Sequence, residues 1–395
     1  MIIPKPKHPS FFALYLAVFV SIMSFSMVFP LLPLYAKTFN ASTLVIGLLA
    51  SSFALAQLLF SPFWGKISDR FGRKPILALG LFGMSASFFF FGLAGNLSVL
   101  FILRFLQGVF AGAIFPATRA YIADCTTRKD RAKHFGRVGA AMALGAVFGP
   151  AIGGVLAQEN ISLPFFVASF IAALNFVYIA RLLPESLQKK SKNIDLRKAA
   201  LNITQLWKGL RGPLAPFFLL VFAWSFTMSN TQVSIPLLGL EKFHMTVQEI
   251  GLLFTVLGGV IAFTQAILLP IILKFTTKRV AVVVGLSIMS LGFGSMPFLP
   301  SMELVYISMG IAAFGASISR PLLSAMISEE THDAMGATLG AAGAFENMGR
   351  LTGPMLGGLF LGIAFMIPFL ASIGIVLCIL LFVIFKMGFL KVDHG

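Results

Sequence analysis

The sequence predicts an all-α integral membrane protein made of two pseudo-symmetric six-helix bundles, twelve transmembrane helices in all. Three observations carry that expectation. Of 395 residues, 58% are hydrophobic and 11% charged, against roughly 25% charged in an average soluble domain; a water-soluble fold has no interior large enough for so much apolar surface. Apolar runs of about 20 residues recur along the whole chain, each able to cross roughly 30 Å of hydrocarbon as a helix. A set of residues in the first half also recurs in the second at a nearly constant offset.

The runs place spans near 11–35, 44–64, 76–95, 97–119, 138–157, 164–182, 214–238, 249–272, 280–298, 302–326, 338–362 and 366–387. Lys5 and Lys7 precede the first run, as they would in a secretory signal. No small-residue cleavage site follows them and further spans do, so the first run is expected to be retained as a helix.

The formal charge of +16 raises the question of nucleic-acid binding, and the placement of the basic residues answers it. They alternate by loop. Lys66, Arg70, Arg73 and Lys74 fall in one loop, Arg128 to Arg137 in a second, Lys189 to Arg211 in a third, and Lys274, Lys278 and Arg279 in a fourth, while the loops of opposite parity hold only Lys37 and Lys242. This is the positive-inside bias, which puts both termini in the cytoplasm; a nucleic-acid site would need one contiguous basic face. The stretch 184–212 is expected to link an N-terminal bundle, 1–183, to a C-terminal bundle, 213–395. Its section from Leu196 to Leu210 reads either as a basic amphipathic helix on the membrane surface or as a solvated tether.

The repeat is the strongest sign of organisation. Pro30-Leu31-Leu32 and Ile46-Gly47-Leu48-Leu49 are matched by Pro236-Leu237-Leu238 and Ile250-Gly251-Leu252-Leu253, at offsets of 206 and 204. Pro116 stands eight residues before Asp124, and Pro321 eight before Glu329. Gly149-Pro150 with Gly153-Gly154 is matched by Gly353-Pro354 with Gly357-Gly358 at 204. Two parallel halves of this kind predict a solute site near midplane and alternating access by rocking.

Three segments carry a family resemblance. The loop Gly65-Lys66-Ile67-Ser68-Asp69-Arg70-Phe71-Gly72-Arg73-Lys74 resembles the signature between spans two and three of the major facilitator superfamily. Arg104-Phe105-Leu106-Gln107-Gly108 in span four resembles that family's RxxQG element, and Gly145 to Gly154 in span five resembles its antiporter motif. The chain is most similar to the drug–proton antiporters, the tetracycline and multidrug exporters among them. The resemblance covers essentially the whole chain and implies a secondary transporter in the inner membrane, with a small-molecule substrate, a proton gradient as its drive and no catalytic residues. It also implies a cytoplasmic latch built from Gly65, Asp69, Arg70, Gly72, Arg73 and Asp124, and gating by span five through Gly145, Gly149, Pro150, Gly153 and Gly154. A monomer in the lipid bilayer is expected.

Elementary chemistry supports each motif. Glycines permit tight turns in the 65–74 loop; Asp69 suits the positive end of a helix and the arginines seek a carboxylate, for which Asp124 is the natural partner. The same charges would also serve simply to orient the loop. Leu273 to Arg279, the counterpart in the second half, has lost the acid, so the latch is expected on one side only. In span five, glycines at four-residue spacing allow close helix contact, and Pro150 removes one backbone hydrogen bond. Ordinary small-residue packing is the alternative reading.

Charges inside spans are expensive and usually face the bundle interior or water. Arg104 is the clearest, with Gln107 three residues on and on the same face; the resemblance assigns it to substrate binding or proton coupling, and a structural hydrogen bond to helix carbonyls is the alternative. Glu346 and Arg350 stand at i and i+4 in span eleven and can pair with each other, structurally or functionally. Arg320 in span ten is a further candidate for lining a cavity. Relatives of this type carry acids in spans one and three, where this chain has Val20 and Ser87. Of its fourteen acids only Glu346 lies well inside a helix, which makes it the leading proton carrier and turns the expected substrates away from tetracycline–metal complexes toward neutral, zwitterionic or anionic amphiphiles.

Nothing else in the sequence suggests chemistry. Cys125 and Cys378 are far apart, the five histidines have no ligand spacing, and no GxxxxGK[ST] loop is present, so neither metal nor cofactor nor direct ATP drive is expected. Besides drug efflux, two readings stay open: export of one specific metabolite, such as a siderophore, and a non-transporting sensor on the same scaffold.

Overall fold

The computed structural model describes residues 11–187, 212, 214–330 and 335–387, and regular structure among them is helical throughout. Twelve long helices occupy the expected spans. They are α1 Phe11–Lys37, α2 Thr43–Phe71, α3 Arg73–Gly92, α4 Leu97–Cys125, α5 Arg128–Glu159 and α6 Leu163–Leu182, then α7 Ala215–Phe243, α8 Val247–Ile272, α9 Lys278–Phe298, α10 Met302–Glu329, α11 Met335–Leu361 and α12 Ile367–Met387. The proposed surface helix at Leu196–Leu210 lies outside the described residues, as does most of the stretch 184–212.

Three helices break their regular hydrogen bonding, each at a proline; in α9 it is the last turn, the 3-10 segment Met296–Phe298 with Pro297. In α1 the helix Phe11–Val28 passes through a 3-10 turn, Phe29–Leu31, into Leu32–Lys37, where Pro30 and Pro33 have no N–H to return to the preceding turn. In α8 a five-residue π-turn, Thr264–Leu268, precedes Pro270; Leu269 donates to the Thr264 carbonyl five residues back, absorbing the missing bond. Pro62, Pro116, Pro150, Pro236, Pro321 and Pro354 stand inside unbroken helices.

Ten of the twelve helices have a span's length and hydropathy by themselves; α7 and α11 have the length but are less apolar. They pack against each other, and the polar groups that lower their hydropathy turn inward. Ser225, Ser229, Asn230, Thr231 and Ser234 of α7 are all buried. The Asn230 amide donates to the Pro368 carbonyl at 2.6 Å and to Ser372 Oγ at 2.7 Å, and Ser225 Oγ donates to the Glu346 carbonyl at 2.7 Å. In a hydrocarbon surround each polar group must find its partner within the protein.

By contacts the described residues fall into two units, one within Met1–Phe39 and Ser52–Leu201, the other within Asn40–Ser51 and Asn202–Gly395. The first turns of α2 thus pack with the second unit, where Ser51 Oγ donates to the Leu351 carbonyl at 2.7 Å. The two units repeat one packing plan. In the first, α1 packs on α5 and α6, and α3 on α4 and α6; in the second, α7 packs on α11 and α12, and α9 on α10 and α12.

The glycines that recur at an offset of 204 make the same contact in both. A Cβ on Gly149 of α5 would stand 2.6 Å from the Met23 carbonyl of α1, and one on Gly353 of α11 would stand 2.6 Å from the Phe226 carbonyl of α7. Only hydrogen at these positions lets the backbones approach, and the approach is used: Ser26 Oγ donates to the Gly145 carbonyl at 2.9 Å.

Candidate functional site

At the α2–α3 junction the signature segment is helical for most of its length, because α2 continues to Phe71. Gly65 therefore sits inside a helix rather than in the tight turn expected of it, and a Cβ there would meet nothing within 4 Å. Gly72 alone makes the turn, with φ +120 in the region that favours glycine, and a Cβ on it would stand 2.3 Å from Glu185 Oε2.

Arg73 is the centre of the junction. Its guanidinium donates to Asp69 at 2.5 Å, to Asp124 Oδ2 at 3.0 Å and to Ser68 Oγ at 3.2 Å, and the residue is buried. The partner chosen from the sequence, Asp124, is the one found; it also accepts from Ser186 Oγ at 3.2 Å. Arg70 instead lies over the Phe71 ring, 5.5 Å from its centroid.

Sequence reasoning missed Glu185. Its carboxylate accepts from the backbone N–H of Arg73 at 2.9 Å and of Lys74 at 3.2 Å, satisfying two of the orphan donors that begin α3. The signal was there in Pro184-Glu185-Ser186, an acid just past the end of α6, but it read as the start of the linker.

The loss of the acid from the second-half segment does not leave its bases unpaired. The 273–279 segment has lost its acid, yet Lys278 pairs with Glu329 and Arg279 lies 3.5 Å from Glu330. The acids come from the end of α10, the repeat of the α4 position that supplies Asp124. Their side chains are 57% and 49% exposed, against 27% for Asp124, so solvent screens this second cluster far more.

Two turns into α4, Arg104 is 2% exposed and donates to Gln107 Oε1 at 2.9 Å, confirming their shared face. Its Cζ lies 4.7 Å from the centroid of Phe53 on α2 and 5.8 Å from that of Phe25 on α1. Gly108 permits this proximity: a Cβ there would stand 2.3 Å from the Phe53 carbonyl. Among the described residues no helix carbonyl takes Arg104, and its Nε and the Gln107 Nε2 have no hydrogen-bond partner. Two donors are thus held ready in an aromatic surround.

In the second unit the structure joins what the sequence left separate. Glu346 pairs with Arg350 on its own helix at 2.6 Å, and with Arg320, which reaches it from α10. Arg320 also donates to Ser324 Oγ and lies over Trp224, 5.9 Å from its ring, while Trp224 Nε1 is tied to the Ala316 carbonyl at 3.0 Å. Along α5, Gly145, Gly149, Pro150, Gly153 and Gly154 are all buried, the glycines at 145, 149 and 153 against α1. A cavity of about 500 Å³ lies between α1 and α6, lined by Leu16, Val20, Leu174, Asn175, Tyr178 and Arg181; of the positions singled out above it contains Val20 alone, and none of the candidate substrate, coupling, latch or gating residues.

The family model described as Major Facilitator Superfamily matches residues 14–241 and again 217–394. The chain is 32% identical to Multidrug resistance protein 2 of Bacillus subtilis over 89% of both chains, and 26% identical to the Quinolone resistance protein NorA of Staphylococcus aureus over 92% of this chain and 93% of that one. Among solved structures it resembles the human organic anion transporter MFSD10 (TETRAN), with a TM-score of 0.71, 20% identity and coverage of 94% and 97%. It also resembles a POT family transporter in complex with a thioalcohol conjugated peptide, with a TM-score of 0.81, 16% identity and coverage of 96% of each chain. At these identities the structural likeness speaks for the fold.

Proposed function

Because this chain belongs to the Major Facilitator Superfamily, we propose that it is a secondary transporter exporting lipophilic or amphiphilic small molecules, drugs among them, by proton-coupled alternating access. The observation that carries the reading is Arg104, a buried cation two turns into its span with unused donors and no acid partner among the described residues. A charge in that position is too costly to serve packing alone. The names of its relatives, multidrug and quinolone resistance proteins, support drug efflux in particular.

In this reading the moving bodies are the bundles 1–183 and 213–395, joined by 184–212, and the chain works as a monomer in the inner membrane with both termini in the cytoplasm. The basic loops support that orientation. Arg104 and Gln107 meet the substrate, and Glu346, between Arg320 and Arg350, couples the cycle to protons. Asp69, Arg73 and Asp124, with Gly72 shaping the turn, latch the cytoplasmic side, while α5, packed on α1 through Gly145, Gly149 and Gly153 and carrying Pro150 and Gly154, is the gating helix.

Proteoliposomes loaded with a fluorescent amphiphile, with and without an imposed pH gradient, test this. Gradient-driven flux lost in Glu346→Gln but present without a gradient is expected. Flux that ignores the gradient in both proteins overturns proton coupling, and absence of flux for every amphiphile favours the sensor reading instead.

A further inference from the structure

The cluster of Glu346, Arg320 and Arg350 holds two cations to one anion, and its layout is lopsided. The Glu346 side chain is 13% exposed, while those of Arg320 and Arg350 are 27% and 43% exposed. The acid sits behind and the guanidinium groups stand in front. Among the described residues Arg350 makes one hydrogen bond and Arg320 two. Each guanidinium has five N–H donors in a fixed fork, so most of these donors have no partner among the described residues.

A purely structural ion pair inside a span is expected to balance its charge, since an unbalanced cation there is costly unless it faces water or a ligand. Here the surplus charge is kept, and it is held rigidly. Ser225 Oγ ties the Glu346 carbonyl to α7, and Gly349 packs against the Phe222 carbonyl with no room for a methyl group, so the turn carrying Glu346 and Arg350 is packed closely on α7. Trp224, fixed through its indole N–H, stands beside Arg320 as an apolar wall.

We infer that Arg320 and Arg350 form a carboxylate-binding subsite, with Glu346 as the internal anion that positions them and Trp224 as the contact for the apolar part of the ligand. The ligand class is an amphiphilic organic acid or zwitterion. Planar guanidinium forks match a carboxylate bidentately, which lysines do not. Glu346 is a positioning residue: it holds both forks at one level of the bundle and offsets half of their charge while the site is empty. The inference rests on the export reading and narrows its substrates to those bearing an anionic group.

The test uses three pyrene probes that share one apolar body: pyrenebutyrate, its methyl ester and pyrenebutylamine. Binding to the purified full chain in lipid nanodiscs is followed by fluorescence. The expected result is about tenfold tighter binding of the carboxylate than of the ester, the scale of a charged hydrogen bond, with the amine weakest. In Arg350→Ala the ratio of carboxylate to ester affinity falls toward one. A ratio taken within a single preparation is insensitive to the folded fraction. Should Arg350→Ala bind neither probe, Arg350→Lys supplies the readout, and an intermediate ratio supports the subsite. Equal binding of carboxylate and ester by the unaltered chain, or an unchanged ratio in both Arg350 variants, overturns the subsite and leaves export standing. No binding of any probe, together with no flux in the proteoliposome assay, overturns both.

Discussion

Arg73 at the start of α3 donates through Nε to Asp124 at the end of α4, 3.0 Å away, while a second nitrogen of the same guanidinium holds Asp69. One buried cation therefore closes α2, α3 and α4 at the basic end of the first unit.

A double-mutant cycle on Arg73→Ala and Asp124→Ala is expected to give a coupling of about 1–3 kcal/mol, the range for contacting residues in one network. The same cycle on Lys278 and Glu329 is expected to give under about 1 kcal/mol, because those side chains are 40% and 57% exposed. Thermal unfolding of the purified variants reads both. Equal couplings would refute the ranking of the two clusters.

Loss of latch charge should appear in the rate of the cycle rather than in affinity. Asp69→Asn is expected to slow flux severalfold with substrate binding unchanged, since Asp69 touches Arg73 and lies outside the spans' interior. Flux and binding measured on the same preparation separate the two. A weakened affinity at normal speed would contradict the assignment.

Gly149→Ala and Gly353→Ala are each expected to destabilise by about 1–3 kcal/mol, the cost of overpacking a filled contact, because a Cβ at either position meets backbone at 2.6 Å. Gly65→Ala is the control. With open space around it and helix on both sides, it is expected to be neutral or to gain up to about 1 kcal/mol. Melting temperatures that fall equally in all three would defeat the packing account.

Arg104→Met should abolish flux while leaving the melting temperature unchanged or higher. Its guanidinium makes one hydrogen bond, to Gln107, and has no acid partner among the described residues, so an apolar side chain of similar length removes a desolvated charge at little structural loss. A marked drop in stability would give Arg104 a structural role instead.

Asn230→Leu removes the donor to Pro368 and Ser372 that ties α7 to α12. The expected cost is about 1–2 kcal/mol, the upper range for interhelical hydrogen bonds in membranes. Asn230→Gln, with the amide one carbon further out, should not restore it.

Much of the architecture was legible in residue order because the bilayer imposes length and hydropathy on each span, and because the repeated prolines and glycines mark helix bends and close contacts. The glycines of α5 and α11 are paired at an offset of 204 in the sequence, and their contacts match. The Arg104–Gln107 and Glu346–Arg350 pairs were also readable, since both follow from helix periodicity alone.

What residue order left undecided all depended on groups far apart in the chain. The reach of Arg320 to Glu346 from another helix, the capping of α3 by Glu185 from beyond α6, and the ion pairs of Lys278 and Arg279 with acids on α10 each span 26 residues or more. Periodicity places a side chain on the face of its own helix. Which faces then meet is set by how the helices pack, so the composition and hydrophobic pattern determined a twelve-span repeat, and only the tertiary structure decided that its lone mid-span acid lies between two arginines.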